Sequence, residues 1–415
     1  MPWPAPLATA PVDAVVRLPG SKSVTNRALV LGALARGTTT VRAPLRARDT
    51  LLMAAGLRAL GASVTDAGDD WVVSPGPAPQ AARIDLGNAG TVARFLPPVA
   101  ALGAGTVTFD GDPRMRERPV GPLLAALRSL GATVSGELFP VVVRGTGSLR
   151  GGAVTLDAST SSQLVTGLLL AAPLMAEGLD LTHEGPPVPS RPHLDMTVEM
   201  MRAFGASVTV GEDRWTVTPG GYDATDVDVE PDLSGAAPFL AAAVVTGGVV
   251  RVPGWPRSTT QPGAALPGLL ERMGATSSLD GDGLTLRGGA GVAGIEADLR
   301  DCGELAPVLA ALACVASSPS RLYGIAHLRL QETDRLRALA TELRAFGAGV
   351  EESPDGLAIE PRPLRDGGVF ATYDDHRLAM AAAVLGLVTK VEVENVATVG
   401  KTMPDFVERW TAMLS

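Results

Sequence analysis

The sequence predicts an α/β protein of two domains, and three observations carry that expectation. One is length, since 415 residues exceed a single ordinary core. Another is a recurring segment: LRALGASV begins at Leu57, LRSLGATV at Leu127, MRAFGASV at Met201, LERMGATS at Leu270 and LRAFGAGV at Leu343. The intervals are 70, 74, 69 and 73 residues, too regular for chance. The third is a set of alanine-rich stretches in phase with it, starting near Ser23, Gly90, Ser161, Ser234, Glu304 and Asp375.

Each copy of the recurring segment reads as the last turn of an amphipathic helix, a glycine at a left-handed cap, then a strand. A sixth such helix, Pro404 to Leu414, falls at the next interval. The alanine-rich stretches carry little polar surface, which suits helices buried centrally, while the amphipathic ones cover the sheets. Each is followed by a Gly or Ser turn and a β-branched strand, as in TTTVRA, TVTFDG and GVVRVP. One unit is thus strand, helix, strand, helix, strand, strand. An open solenoid would share the period. Yet the alanine-rich helices begin GSKS, GNAGT, STSSQ, DLSG, DCGE and YDDHR. Divergent, reactive caps on one frame suggest helix starts that converge on a site, hence an enzyme rather than a scaffold.

Composition narrows the partner. A formal charge of −9 argues against nucleic acid or an anionic membrane surface. Cys302 and Cys314 fall in an apolar, helix-like run and suggest no disulfide framework. The start, MPWPAPLATAPVDA, lacks the charged and apolar regions of a signal peptide, and runs such as Leu164–Met175 are too short to span a bilayer. A cytoplasmic protein is expected. Lysine occurs only at positions 22, 390 and 401, a skew expected of a GC-rich bacterial genome that replaces lysine with arginine. A lysine kept inside GSKS is therefore informative. In PGSKSVTNRALV, Pro19 to Val30, a glycine and hydroxyls precede an apolar run, as at a helix N-terminus whose free N–H groups attract an anion. Lys22 adds a point charge and Arg27 a planar fork. The GxxxxGK spacing of a Walker loop is missing.

With GSKSVTNR, GNAGT, RMRERPV, SSQ, ETDR, YDDHR and GKTMPDF in this order from about Leu18 to Phe406, the sequence resembles the 5-enolpyruvylshikimate-3-phosphate synthases. Any one motif is weak; seven in order are specific. The resemblance implies the enolpyruvyl transferase-like fold, six βαβαββ units, three per domain, with the active site in the interdomain cleft. The domains would be 20–228, and 1–19 with 229–415. It implies transfer of the enolpyruvyl group of phosphoenolpyruvate to the 5-hydroxyl of shikimate 3-phosphate, releasing phosphate, with those two small molecules as partners and no nucleic acid or membrane. A monomer with no cofactor is expected; the sequence has no CxxC or HxxxH to hold a metal.

Residue by residue, the resemblance makes Lys22 a contact of both substrates and gives Ser23 and Arg27 the shikimate carboxylate. Ser161, Ser162 and Ser190 would take the 3-phosphate, with Gln163 reaching both substrates. Phosphoenolpyruvate would pack on Gly90 and meet Arg118, Arg335, Arg377 and Lys401. Arg118 is one of several cations in Arg114–Arg118, and Arg335 is chosen over Arg337 by motif position alone. His376 is read as a neighbour that orients Arg377, and His183 and His193 receive no role.

The chemistry needs one proton delivered to a methylene carbon and one taken from a hydroxyl, which two carboxylates in different environments can manage. Glu304 aligns with the acidic residue facing the 5-hydroxyl, where many members have aspartate. A carboxylate there also suits a helix start. Glu332 aligns with the glutamate beside the methylene carbon, and Asp49 with a third acidic residue. Gln331 stands where the family has a lysine or histidine that contacts shikimate 3-phosphate; His327, at another acceptor contact, partly compensates. Phe95 replaces a proline behind Gly90. Two other enzymes share this frame: a secondary-metabolism paralogue with a modified acceptor, and the transferase acting on UDP-N-acetylglucosamine. The second carries a loop cysteine that Asp112–Val120 lacks.

Overall fold

Gly61, Gly131, Gly205, Gly274 and Gly347, the glycines of the recurring segment, all have φ between +85° and +104°. A Cβ there would meet the following carbonyl, so only glycine takes this backbone without strain. Beyond each, an alanine N–H reaches back to the helix: Ala62 to Leu57, Ala132 to Leu127, Ala206 to Met201, Ala275 to Leu270 and Ala348 to Leu343, at 2.9–3.1 Å. This closure satisfies the helix's last carbonyls and turns the chain into a strand. One local rule therefore builds five helix-to-strand junctions.

The computed structural model describes residues 1–77 and 81–415. It is a mixed α/β protein that divides into two compact units, Gly20–Val229, and Met1–Pro19 with Glu230–Ser415.

The Gly20–Val229 unit contains α1 (Lys22–Leu34), α2 (Arg48–Ala59), α3 (Gly90–Leu102), α4 (Pro113–Glu117), α5 (Gly121–Ser129), α6 (Ser162–Ala171) and α7 (Pro192–Ala203). Helices α1, α3 and α6 are buried almost all round, and α3 packs on α6. Three four-stranded sheets surround them. In each, a parallel pair is extended by two antiparallel strands, as where Ala81–Asp85, Ala104–Asp110, Val141–Thr146 and Thr133–Ser135 lie side by side. The first sheet is completed from far along the chain, by Val227–Asp228 parallel to Thr39–Arg42.

The other unit contains α8 (Ala237–Thr246), α9 (Leu266–Arg272), α10 (Ala306–Cys314), α11 (Arg335–Ala345), α12 (His376–Leu385) and α13 (Phe406–Met413). Alanine-rich α8, α10 and α12 pack on one another, because small side chains let backbones approach closely. Two four-stranded sheets and one three-stranded sheet cover them. The N-terminal residues serve two of these: Asp13–Val15 pairs with Val249–Pro253, and Trp3–Ala5 with Val391–Val393. Cys314 closes α10, whereas Cys302 lies outside the helix, before the 3-10 turn Gly303–Leu305. Both thiols are buried, which pushes each up to about 12. Among the described residues no helix is long and apolar enough to cross a membrane.

Candidate active site

In the Gly20–Val229 unit the starts of α1, α3 and α6 come together. Ser21 caps α1 by accepting the Val24 N–H, and Lys22 Nζ lies 3.4 Å from Asp49 Oδ2 on α2. Asn26 donates to Thr91 Oγ1 at 2.8 Å, tying α1 to α3. A Cβ on Gly90 would lie 2.6 Å from Arg118 Nη2 and 2.8 Å from Gln163 Oε1, so three sequence-predicted residues meet there. Ser161 caps α6 by accepting the Gln163 N–H at 3.2 Å, and Ser162 is buried in its first turn. Ser190 sits just before α7 with a left-handed φ of +55°.

Unlike Lys22, which meets the Asp49 carboxylate, Arg27, Arg94 and Arg118 are buried against neutral acceptors. Arg27 is 1% exposed. Its Nε donates to Thr197 Oγ1 at 2.8 Å, and Nη1 and Nη2 donate to the carbonyls of Ser23 and His193 at 3.0 Å. Phe95 lies under its guanidinium, 5.4 Å from ring centre to Cζ. The proline replacement noted in the sequence thus serves Arg27, an attraction of the ring face for a cation. Burial pulls Arg27 down to about 9. Arg118 Nη1 donates to both oxygens of Asn88 at 3.1 Å. Behind it Arg94, which the sequence reading passed over, donates to the Pro119 carbonyl at 2.7 Å, while its Nε has no acceptor. Burial, then the charge of Arg118, hold Arg94 well below the usual arginine range. Its signal was a charge inside an otherwise apolar helix.

In the other unit the cations meet carboxylates. Glu332 Oε2 lies 2.9 Å from His376 Nδ1, and Oε1 lies 2.8 Å from Lys401 Nζ and 3.7 Å from Arg335 Nη2. Burial alone would push Glu332 up; His376, Lys401 and Arg335 outweigh it and hold the carboxyl well below the usual range. Arg335 forms a two-point pair with Asp375, at 2.7 and 3.1 Å. Asp375 also caps α12, accepting the Arg377 N–H at 2.9 Å, and Arg377 Nη1 donates to the Ser234 carbonyl at 2.9 Å. Arg335 is therefore buried while Arg337 is exposed. The expectation for His376 needs amending: its ring faces Glu332, and Asp375 is the residue that anchors the arginines. Glu332, Asp375 and His376 offer atoms within 4.8 Å of one another. Arg335 and Lys401 already engage those oxygens and would repel a metal cation, so the set suits proton holding.

Glu304 is half-buried in the turn before α10. A Cβ on Gly303, its neighbour, would lie 2.7 Å from His327 Nε2. Burial pushes His327 down to about 4, against the pull of Glu304. Gln331 is half-buried beside Glu332. An uncharged His327 thus stands near Glu304, which also feels the charge of Arg335.

A family model described as EPSP synthase (3-phosphoshikimate 1-carboxyvinyltransferase) matches residues 7–410. The chain belongs to that family. Two solved structures of EPSP synthase from Acinetobacter baumannii are similar to this member of the EPSP synthases, each at 26% identity over 99% of this chain and 97% of theirs, with TM-scores of 0.81 and 0.79. The reaction is the family's, enolpyruvyl transfer to shikimate 3-phosphate in aromatic biosynthesis.

Proposed function

We propose a division of labour for that reaction in which both units bind the charged substrates and the unit of Met1–Pro19 with Glu230–Ser415 also handles the protons. Lys22, Ser23 and the two N–H groups that Arg27 leaves unused meet the shikimate carboxylate. Ser161, Ser162 and Ser190 take the 3-phosphate, Gln163 both substrates, and His327 and Gln331 the acceptor ring. Arg118, against Gly90, joins Arg335, Arg377 and Lys401 on phosphoenolpyruvate. Planar forks suit its phosphate and carboxylate, and the lysine adds a compact charge.

The observation that carries this reading is Glu332, a carboxylate held by His376, Lys401 and Arg335 at once. At rest it is ionised. When an anion engages Lys401 and Arg335, they stabilise the carboxylate less, its pKa rises, and it can take up a proton. Glu332 then delivers that proton to the methylene carbon of phosphoenolpyruvate while the 5-hydroxyl oxygen bonds to the neighbouring carbon. Glu304 accepts the hydroxyl proton. Elimination returns a methyl proton to Glu332, restores the double bond and expels phosphate, which carries away the proton that Glu304 took up. His327, uncharged at neutral pH, adds no further cation that would weaken Glu304 as a base.

The same reading takes 20–228, and 1–19 with 229–415, as the functional domains, in a cytoplasmic monomer. Its test is a steady-state assay of phosphate release with shikimate 3-phosphate and phosphoenolpyruvate, with size measured by light scattering. Turnover that saturates in both substrates is expected. No release with shikimate 3-phosphate, alongside release with a modified acceptor, would overturn the acceptor assignment.

A further inference from the structure

Tyr373 and Asp374, the residues before the α12 cap, both have left-handed backbone, with φ of +51° and +55°. Two successive side-chain-bearing residues rarely adopt it, and such a segment persists where its surroundings over-determine it. Glu342, buried on α11, does so from one side. Its Oε2 accepts the Ala371 N–H at 3.0 Å and its Oε1 accepts the Tyr373 hydroxyl at 2.7 Å. From another side Glu394 accepts the Thr372 N–H at 3.1 Å. Asn395 Nδ2 donates to Asp374 Oδ1 at 3.0 Å, and Thr398 Oγ1 donates to the Asp374 carbonyl at 2.8 Å.

The elements joined at this turn are the ones that bear this unit's cations. Arg335 opens α11, about two helical turns before Glu342 and on the same face. Arg377 lies in the first turn of α12. Lys401 ends the 3-10 helix Val396–Lys401 that contains Thr398. Each cation is thus registered against the same left-handed turn. The Tyr373 ring is 42% exposed, so its apolar burial contributes little. What the residue supplies is its hydroxyl, pushed up to about 12 by burial and by its bond to Glu342.

We propose that Glu342 and Tyr373 are positioning residues for the phosphoenolpyruvate site: their hydrogen bond holds the turn that seats Asp375 on Arg335 and aims Arg377. The proposal rests on reading Arg377 as a phosphoenolpyruvate ligand. A role confined to folding would lower stability and leave the two substrates equally affected. A positioning role splits them.

The experiment compares Tyr373→Phe, Glu342→Gln, Glu342→Ala and Arg377→Ala in the full chain, measuring both KM values, kcat and Tm. Tyr373→Phe should raise KM for phosphoenolpyruvate about three- to ten-fold, the scale of one hydrogen bond. KM for shikimate 3-phosphate should stay within about two-fold and Tm within about 2 °C. Glu342→Gln, which keeps an acceptor for Ala371, should show a smaller rise than Glu342→Ala. The double variant Tyr373→Phe/Glu342→Ala should be no worse than Glu342→Ala alone, since the Tyr373–Glu342 bond is already lost in the latter. If Arg377→Ala raises KM for phosphoenolpyruvate and Tyr373→Phe does not, the positioning role is overturned while the ligand assignment stands. If Tyr373→Phe raises both KM values together with a fall in Tm, the residue serves stability only and the proposal fails. An unchanged KM in Arg377→Ala removes the ligand assignment and this inference with it.

Discussion

Apart from Arg377, whose guanidinium meets the Ser234 carbonyl, the two units hold their buried site cations in contrasting ways. Arg27, Arg94 and Arg118 are buried against hydroxyls, carbonyls, an amide and a thioether. Arg335 and Lys401 are buried against Asp375 and Glu332. The pKa directions follow: burial lowers Arg27 and Arg94, whereas Arg335 is raised because Asp375 and Glu332 outweigh the burial. A buried cation with only neutral partners is a standing cost that an incoming anion removes. A cation already paired with a carboxylate can instead exchange partners, and that exchange frees the carboxylate to take a proton. One unit is organised to receive charge, the other to convert charge arrival into proton chemistry.

The contrast breaks most directly at Glu332. Glu332→Gln should lower kcat about 10²- to 10⁴-fold, the usual range for a general acid. KM for phosphoenolpyruvate should hold or fall, because Arg335 and Lys401 lose a competitor for the anion. Deuterium entry into the methylene group is the direct measure. Exchange as fast as in wild type would remove Glu332 as donor.

Stability should separate the units next. Arg335→Met leaves Asp375 and Glu332 buried with a cation missing, which costs about 3–5 kcal/mol. For a unit of this size that is roughly a 10 °C fall in Tm. Arg94→Met removes a buried charge that no carboxylate balances, so the protein should stay within about 1 kcal/mol of wild type despite losing the Pro119 bond. Equal losses in calorimetry would show the two arginines to be held alike.

Gly90→Ala sharpens the comparison from the charge-receiving side. Its Cβ would meet the tips of Arg118 and Gln163, which are flexible, so folding should be little affected. The displaced guanidinium should raise KM for phosphoenolpyruvate about 10- to 150-fold, since charge-assisted bonds contribute about 1.5–3 kcal/mol. KM for shikimate 3-phosphate should change less. Equal changes in the two would place Gly90 away from phosphoenolpyruvate.

Much of this was legible in the sequence where the physics is local. The cap glycines and the polar starts of the central helices follow from residue type and spacing, whereas the choice of Arg335 over Arg337 rests on motif position alone. The last helix is shorter than its pattern, Phe406–Met413, because Asp405 lies outside it. What escaped depends on distant partners. Trp3–Ala5 is too short to show a period, and its strand identity comes from Val391–Val393. Arg94 shows in the sequence only as a charge in an apolar helix, with no hint of Arg118 beside it, and His376 sits next to Arg377 in sequence but bonds across 44 residues to Glu332. The turn at Tyr373 escaped because nothing in YDDH announces a left-handed backbone.

The smallest effect expected is a slope. His327 is held down to about 4 by burial, whose effect exceeds the opposing pull of Glu304, while Arg335 and Arg300 add to it. An unfolded histidine takes up its proton near pH 6.5. Between those values the unfolded chain binds a proton that the folded chain refuses, so stability falls as pH falls through this window. The loss amounts to about 1 kcal/mol between pH 7 and pH 5.5. His327→Asn cannot titrate, keeps polar groups at that position, and should remove this part of the slope. The other histidines and the carboxylates titrate alike in both proteins and cancel in the difference. Denaturant unfolding at pH 7 and pH 5.5 measures it. A difference between variant and wild type that does not change with pH would mean that His327 protonates as readily folded as unfolded. The uncharged state assigned to His327, the neighbour of Glu304, would then be wrong.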